Sequence, residues 1–124
     1  MLDHISIGVK DQARSVAFYQ AALAPLGIRK LHEGFGVGFG RDFPRFWVGA
    51  TPSPVPEDAK SGLHICFTAA SRAEVDAFHA AALAAGGRDN GKPGLRPEYH
   101  ASYYGAFVID PDGYRIEAVC HKPA

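Results

Sequence analysis

Apolar and polar residues alternate at the start of this 124-residue chain: Ile5, Ile7 and Val9 interleave with His4, Ser6 and Gly8. A period of two residues predicts a strand with one apolar face. Asp11 then suits a helix N-cap, and Ala13, Ala17, Ala21 and Ala24 recur at helical spacing over Gln12–Ala24 until Pro25 and Gly27 close the run. Between Ile28 and Ala50, short β-like runs cut by Gly34, Gly36, Gly38, Gly40 and Pro44 predict three strands. Pro52, Pro54 and Pro56 mark Thr51–Ser61 as a linker. The order then recurs. Leu63, Ile65 and Phe67 alternate with His64, Cys66 and Thr68, and Ser71 with Glu74 makes an S-x-x-E capping box. A helix to about Ala85 is stopped by Gly86-Gly87. A polar loop over Asp89–Pro97 leads to a strand at Tyr103–Ile109, and the turn Asp110-Pro111-Asp112-Gly113 joins it to Tyr114–Cys120 as a hairpin.

The recurrence is also one of identity. At an offset of 60 positions, His4-Ile5 falls on His64-Ile65, Ala17-Phe18 on Ala77-Phe78, Ala21–Ala24 on Ala81–Ala84 and Gly27 on Gly87, with no gap. An internal repeat of this kind sets the architecture. The fold class expected is α+β, β-α-β-β-β twice. Module one covers about 1–51, the linker about 52–61 and module two about 62–124, together one domain over 1–124. Each half alone is too small to bury a good core, so the halves should pair through their sheets.

Composition narrows the function classes. Thirteen basic and 13 acidic residues cancel, leaving no electrostatic footprint for nucleic acid or anionic lipid. No apolar run approaches the ~20 residues that span a bilayer, and Met1-Leu2-Asp3-His4 has no signal-peptide character. Cys66 and Cys120 form no CxxC pair and read as small buried strand residues in a reducing, cytoplasmic compartment.

Strand parity then selects a site. With Ile5, Ile7 and Val9 on the helix side, His4 points to the opposite face, and His64 does the same beside Leu63, Ile65 and Phe67. On the last strand Ile116, Ala118 and Cys120 take the helix side, leaving Arg115, Glu117 and Val119 on the face of the histidines. Two imidazoles and a carboxylate on one concave face make a 2-His-1-carboxylate set, which binds a divalent metal and leaves positions open for substrate. Trp47 alternates with Phe46 and is assigned to the cavity as a substrate wall, with core packing as the alternative. The stretch from Arg96 to Tyr104, with His100 and Tyr103, reads either as a rim presenting donors to substrate or as a surface loop. Arg115 reads as an anion-binding residue or as a salt-bridge partner at the strand edge, and Cys66 as cavity lining. His32, His79 and His121 are expected to face solvent.

The segments Leu2-Asp3-His4-Ile5, Gly62-Leu63-His64-Ile65 and Asp110-Pro111-Asp112-Gly113-Tyr114-Arg115-Ile116-Glu117 resemble the vicinal oxygen chelate superfamily, which includes glyoxalase I, extradiol dioxygenases, fosfomycin resistance enzymes and bleomycin-binding proteins. The resemblance covers essentially the whole chain. It implies an open, cup-shaped mixed sheet with helices on its outer face. It also implies a homodimer and one divalent ion per site (Fe, Mn, Ni, Co or Zn) on His4, His64 and Glu117, with Glu117 as ligand and base. Glyoxalase I takes a further carboxylate from the last strand of its first module; aligning the module ends puts Trp47 there. The implied function is metal-dependent lyase, isomerase or dioxygenase chemistry on a small molecule with vicinal oxygens. The other kind of member binds a drug without turning it over.

Overall fold

The computed structural model describes residues 1–55 and 61–124; the part of the expected linker over 56–60 lies outside the described residues. Module one runs β1 (Ile5–Val9), α1 (Gln12–Leu23) with a 3-10 turn at Ala24–Leu26, β2 (Arg29–His32), β3 (Gly36–Gly40) and β4 (Phe46–Ala50). Module two runs β5 (Ile65–Thr68), α2 (Arg72–Ala84), β6 (Arg88–Leu95), β7 (Tyr104–Ile109) and β8 (Arg115–Cys120). Each module folds into a four-stranded mixed sheet, ordered β1-β4-β3-β2 and β5-β8-β7-β6. The pairings of β1 with β4 and of β5 with β8 are parallel and the rest antiparallel. The β-α-β-β-β order is therefore present twice, and β1 and β5 each end a sheet.

The helices start where their caps dictate. The Asp11 carboxylate accepts the Arg14 N–H at 3.1 Å, and Ser71 Oγ accepts the Glu74 N–H at 3.2 Å. Glu74 reaches back to the Ala70 N–H, completing the box one residue upstream of the cap. In α1 the buried face is not the alanine stripe, which lies exposed. It is Ser15, Phe18, Tyr19, Ala22 and Leu23, at the same helical spacing on another side. Burial free energy scales with apolar area, so two aromatic rings outweigh four methyl groups. In α2, Val75, Phe78, His79 and Ala82 take the buried face.

Among the described residues the halves do not meet through strand pairing. The helices α1 and α2 pack on each other, and one continuous core joins Phe18, Tyr19, Phe39 and Phe46 with Val75, Phe78, Val108 and Ile116. Phe46 meets Phe67 edge to face with centroids 5.2 Å apart, and the Arg41 guanidinium donates to Leu26 O and Thr68 O. The Asp110–Gly113 turn clasps the halves together. Asp110 is buried; it accepts from the Tyr19 hydroxyl on one oxygen and from the Asp112 and Tyr114 N–H groups on the other. Asp112 accepts from Ser15 Oγ at 3.0 Å, and the Tyr114 hydroxyl donates to Gly8 O at 2.7 Å. Most of the Asp-Pro-Asp-Gly motif is thus structural, and only the strand behind it reaches the site.

The segment expected as a polar loop over Asp89–Pro97 is largely β6. It is an edge strand, mostly exposed, with pairing irregularities between Asp89 and Gly94. Edge strands need no apolar face and tolerate Pro93, so neither period nor composition reveals one.

Candidate functional site

Strand pairing gives the two halves equivalent geometry. Cys66 pairs with Glu117 across β5 and β8, and Phe107 pairs with Glu117 across β7 and β8. In module one, Ser6 and Gly38 pair with Trp47 in the corresponding places. Trp47 is therefore the counterpart of Glu117, as the alignment of the module ends predicts.

In module two, Glu117 is the centre. It is only 1% exposed, although it lies on the face away from the helices. One carboxylate oxygen, Oε1, accepts from His64 Nε2 at 3.0 Å; the other, Oε2, accepts from the Tyr103 hydroxyl. Tyr103 comes from the hairpin loop between β6 and β7, pinched shut by the Arg96 N–H on Tyr103 O at 2.8 Å. A Cβ at Gly105 would stand 3.2 Å from both Glu117 Oε2 and the Tyr103 ring, so a glycine on β7 leaves room for this contact. Desolvation, with the hydrogen bond to Glu117, holds the Tyr103 phenol above the ordinary tyrosine range. Desolvation of its sulfur, with the Glu117 charge beside it, likewise raises the Cys66 thiol, which argues against Cys66 as a nucleophile. Cys66 itself is exposed, not buried as expected, because β5 ends its sheet; Cys120 is buried.

In module one, His4 is exposed and its Nδ1 lies 2.7 Å from Asp3 Oδ1. It lines a cavity of about 550 Å³ with Ser6, Phe43, Trp47 and Gly49. The indole lies on the backbone of β3: a Cβ at Gly38 would stand 3.0 Å from Trp47 Cη2, and one at Gly36 3.1 Å from Cε3. Phe46, its neighbour, is in the core, so Trp47 occupies the cavity side.

One chain thus brings together His64, Glu117, Tyr103 and Cys66, while His4 lines one cavity with Trp47 and another, between the modules, with Cys66. Among the described residues no three His, Cys, Asp or Glu side chains cluster to hold a metal. Arg115 shares the face but donates to Ser61 Oγ at 3.2 Å. His100 Nε2 lies 2.8 Å from His121 Nδ1, and both rings stand 5.4 Å from that of Tyr103. His121, expected as a free solvent-facing residue, is exposed but joined to the rim. Extending the parity of Glu117 and Val119 by two residues would have placed it there. His79 corrects the same expectation more strongly: it is buried, with Nε2 2.9 Å from Asp89 Oδ1.

The family model described as Glyoxalase/Bleomycin resistance protein/Dioxygenase superfamily matches residues 1–118. The chain belongs to this superfamily. A glyoxalase/bleomycin resistance protein from Albidiferax ferrireducens T118 has a similar structure, with a TM-score of 0.80, 32% identity and 99% of each chain covered. The fold also matches a putative glyoxalase from Bacillus halodurans (TM-score 0.69, 24% identity, 97% and 95% covered). The genomically encoded fosfomycin resistance protein FosX from Listeria monocytogenes is similar as well (TM-score 0.73, 20% identity, 98% and 93% covered). No curated protein matches the chain. Superfamily members of this kind commonly use a divalent metal. The separation of His64 Nε2 and Glu117 Oε1 fits such an ion, since two donors each about 2.1 Å from a metal and at right angles stand about 3 Å apart. One chain supplies two donors of the set, not three.

Proposed function

We propose that this chain is a metal-dependent enzyme acting on a small molecule with vicinal oxygens, and that its site is completed across a homodimer. His64 and Glu117 of one protomer and His4 of the other are the proposed ligands. The observation that carries this reading is the buried Glu117 held by His64, with an equivalent histidine, His4, on the other module beside Trp47. The unpaired outer edges of β1 and β5 support it, together with exposed Leu2 and Leu63 beside the two histidines. Open sheet edges flanked by apolar side chains call for a cover, and a second copy supplies the same elements by symmetry.

When bound, a divalent ion acts as a Lewis acid on adjacent oxygens. The chain's own contribution is more specific. Glu117 keeps Oε1 on the His64 side and has Oε2 occupied by Tyr103, so it offers one oxygen as ligand or proton acceptor. The Tyr103 phenol, kept protonated, gives its one proton to Glu117 Oε2 and so orients the carboxylate. Trp47 supplies a dry wall where glyoxalase I has a carboxylate. That wall, on its glycine strand, also favours the second reading, a non-catalytic drug-binding protein of the bleomycin-resistance type.

Mixing experiments test the assembly. Metal content is measured on tag-free native protein, on His4→Ala, on Glu117→Gln and on a reassorted mixture of the two variants. Neither variant alone holds stoichiometric metal. Random reassortment restores about one quarter of the native content, because half the dimers then carry one intact site. If the mixture restores nothing, the shared site is wrong. Metal-free protein that binds drug tightly and turns over no chelating substrate establishes the second reading instead.

A further inference from the structure

The inner face of β8 is buried although it carries Glu117 and faces away from the core. The loop 96–103 brings Tyr103 onto Glu117 there, and three observations show how that loop is held. The Ser102 N–H donates to His100 Nδ1 at 3.1 Å, so that nitrogen carries no proton. The ring proton therefore sits on His100 Nε2, which donates to His121 Nδ1 at 2.8 Å, just past the end of β8. The Tyr103 ring packs edge-on against both imidazoles and against Tyr99, and its hydroxyl reaches Glu117 over the space left by Gly105.

We propose that His100 and His121 are positioning residues: their hydrogen bond straps the loop 96–103 across the end of β8 and seats the Tyr103 phenol on Glu117 Oε2. The strap acts through Tyr103 and touches no substrate. Its consequence is that Glu117 presents Oε1 alone, which fixes the carboxylate as a single-oxygen group. The inference takes Glu117 as the centre of the site, as proposed above, but the strap itself is a property of the metal-free chain.

Proton NMR of metal-free protein tests it. A phenol proton held on a buried carboxylate gives a downfield resonance, assigned by its loss in Tyr103→Phe. In His100→Ala and in His121→Ala that resonance exchanges with solvent about fivefold faster or vanishes, the effect of losing one hydrogen bond. In His121→Asn it persists, because Asn Oδ1 stands where Nδ1 stood and accepts from His100. Amide spectra confirm that each variant is folded. The strap is refuted if the resonance is unchanged in both alanine variants, if His121→Asn behaves as His121→Ala, or if Tyr103→Phe removes no such resonance. Co(II) added to native protein checks the metal reading separately: no binding overturns that reading, while the resonance pattern still decides the strap.

Discussion

Trp47 stands where Glu117's counterpart would be, and that exchange removes a carboxylate from one of two otherwise equivalent places in the repeat. An indole cannot coordinate a hard divalent ion, and this one is laid flat against a strand from which side chains have been removed at Gly36 and Gly38. Restoring a carboxylate should restore a ligand. Trp47→Glu is expected to tighten Co(II) binding by about tenfold or more, the lower end of what even outer partners of a metal contribute. Unchanged affinity in a calorimetric titration would show that position 47 lies beyond reach of the ion. A second residue acts structurally. Asp110 satisfies the Tyr19 hydroxyl and two backbone N–H groups inside the protein, and burial raises its pKa against those bonds. Asp110→Ala leaves these buried donors without partners and should cost about 3 kcal/mol in urea unfolding. Asp110→Asn keeps an acceptor for both N–H groups and should cost markedly less.

At the scale of elements, β6 and α2 are joined by a hydrogen-bonded pair that period alone would not suggest. His79, on the buried face of α2, meets Asp89 at the start of β6. The hydrogen bond from His79, helped by the Gly91 N–H, lowers the Asp89 carboxyl to about 2. A carboxyl depressed in the folded state stabilises it above its unfolded pKa, near 4, and loses that contribution as pH falls toward 2. Acid unfolding of the native protein should therefore steepen across this window. Asp89→Asn should flatten the midpoint's dependence on pH between about 4 and 2, measured by circular dichroism at constant ionic strength. An identical pH dependence in the variant would show that the pair contributes nothing to folding.

At the scale of the whole molecule, the modules are joined by helices and by the Asp110–Gly113 clasp, and β1 and β5 each end a sheet. On the proposed function, the cup that the superfamily resemblance implies belongs to a pair of chains, with its donors divided between them. The proposed site has three protein ligands, and position 47 is a tryptophan where a carboxylate would add a fourth. Little or no metal-dependent isomerisation of the methylglyoxal–glutathione hemithioacetal is therefore expected, whereas vicinal diols, catechols and α-hydroxy carbonyl compounds are the better screen. Robust hemithioacetal turnover that metal chelation abolishes would overturn this expectation.

Much of this was legible without coordinates, because it follows from local rules. The two-residue and helical periods, the caps at Asp11 and Ser71, and the 60-residue repeat determined the order of elements, and parity put Glu117 and both histidines on the faces away from the core. What was not legible depends on contacts distant in sequence. The buried face of α1 went to Phe18 and Tyr19, not to the alanines, because a partner surface selects the largest apolar area. The edge strand β6 carries no apolar face and left no period to read. Above all, parity says which side of a sheet a residue occupies but not which sheets face each other. Only the packing of the two modules decided that, among the described residues, the three expected ligands do not cluster in one chain, and only the folding-over of loop 96–103 decided that Glu117 is bound by Tyr103.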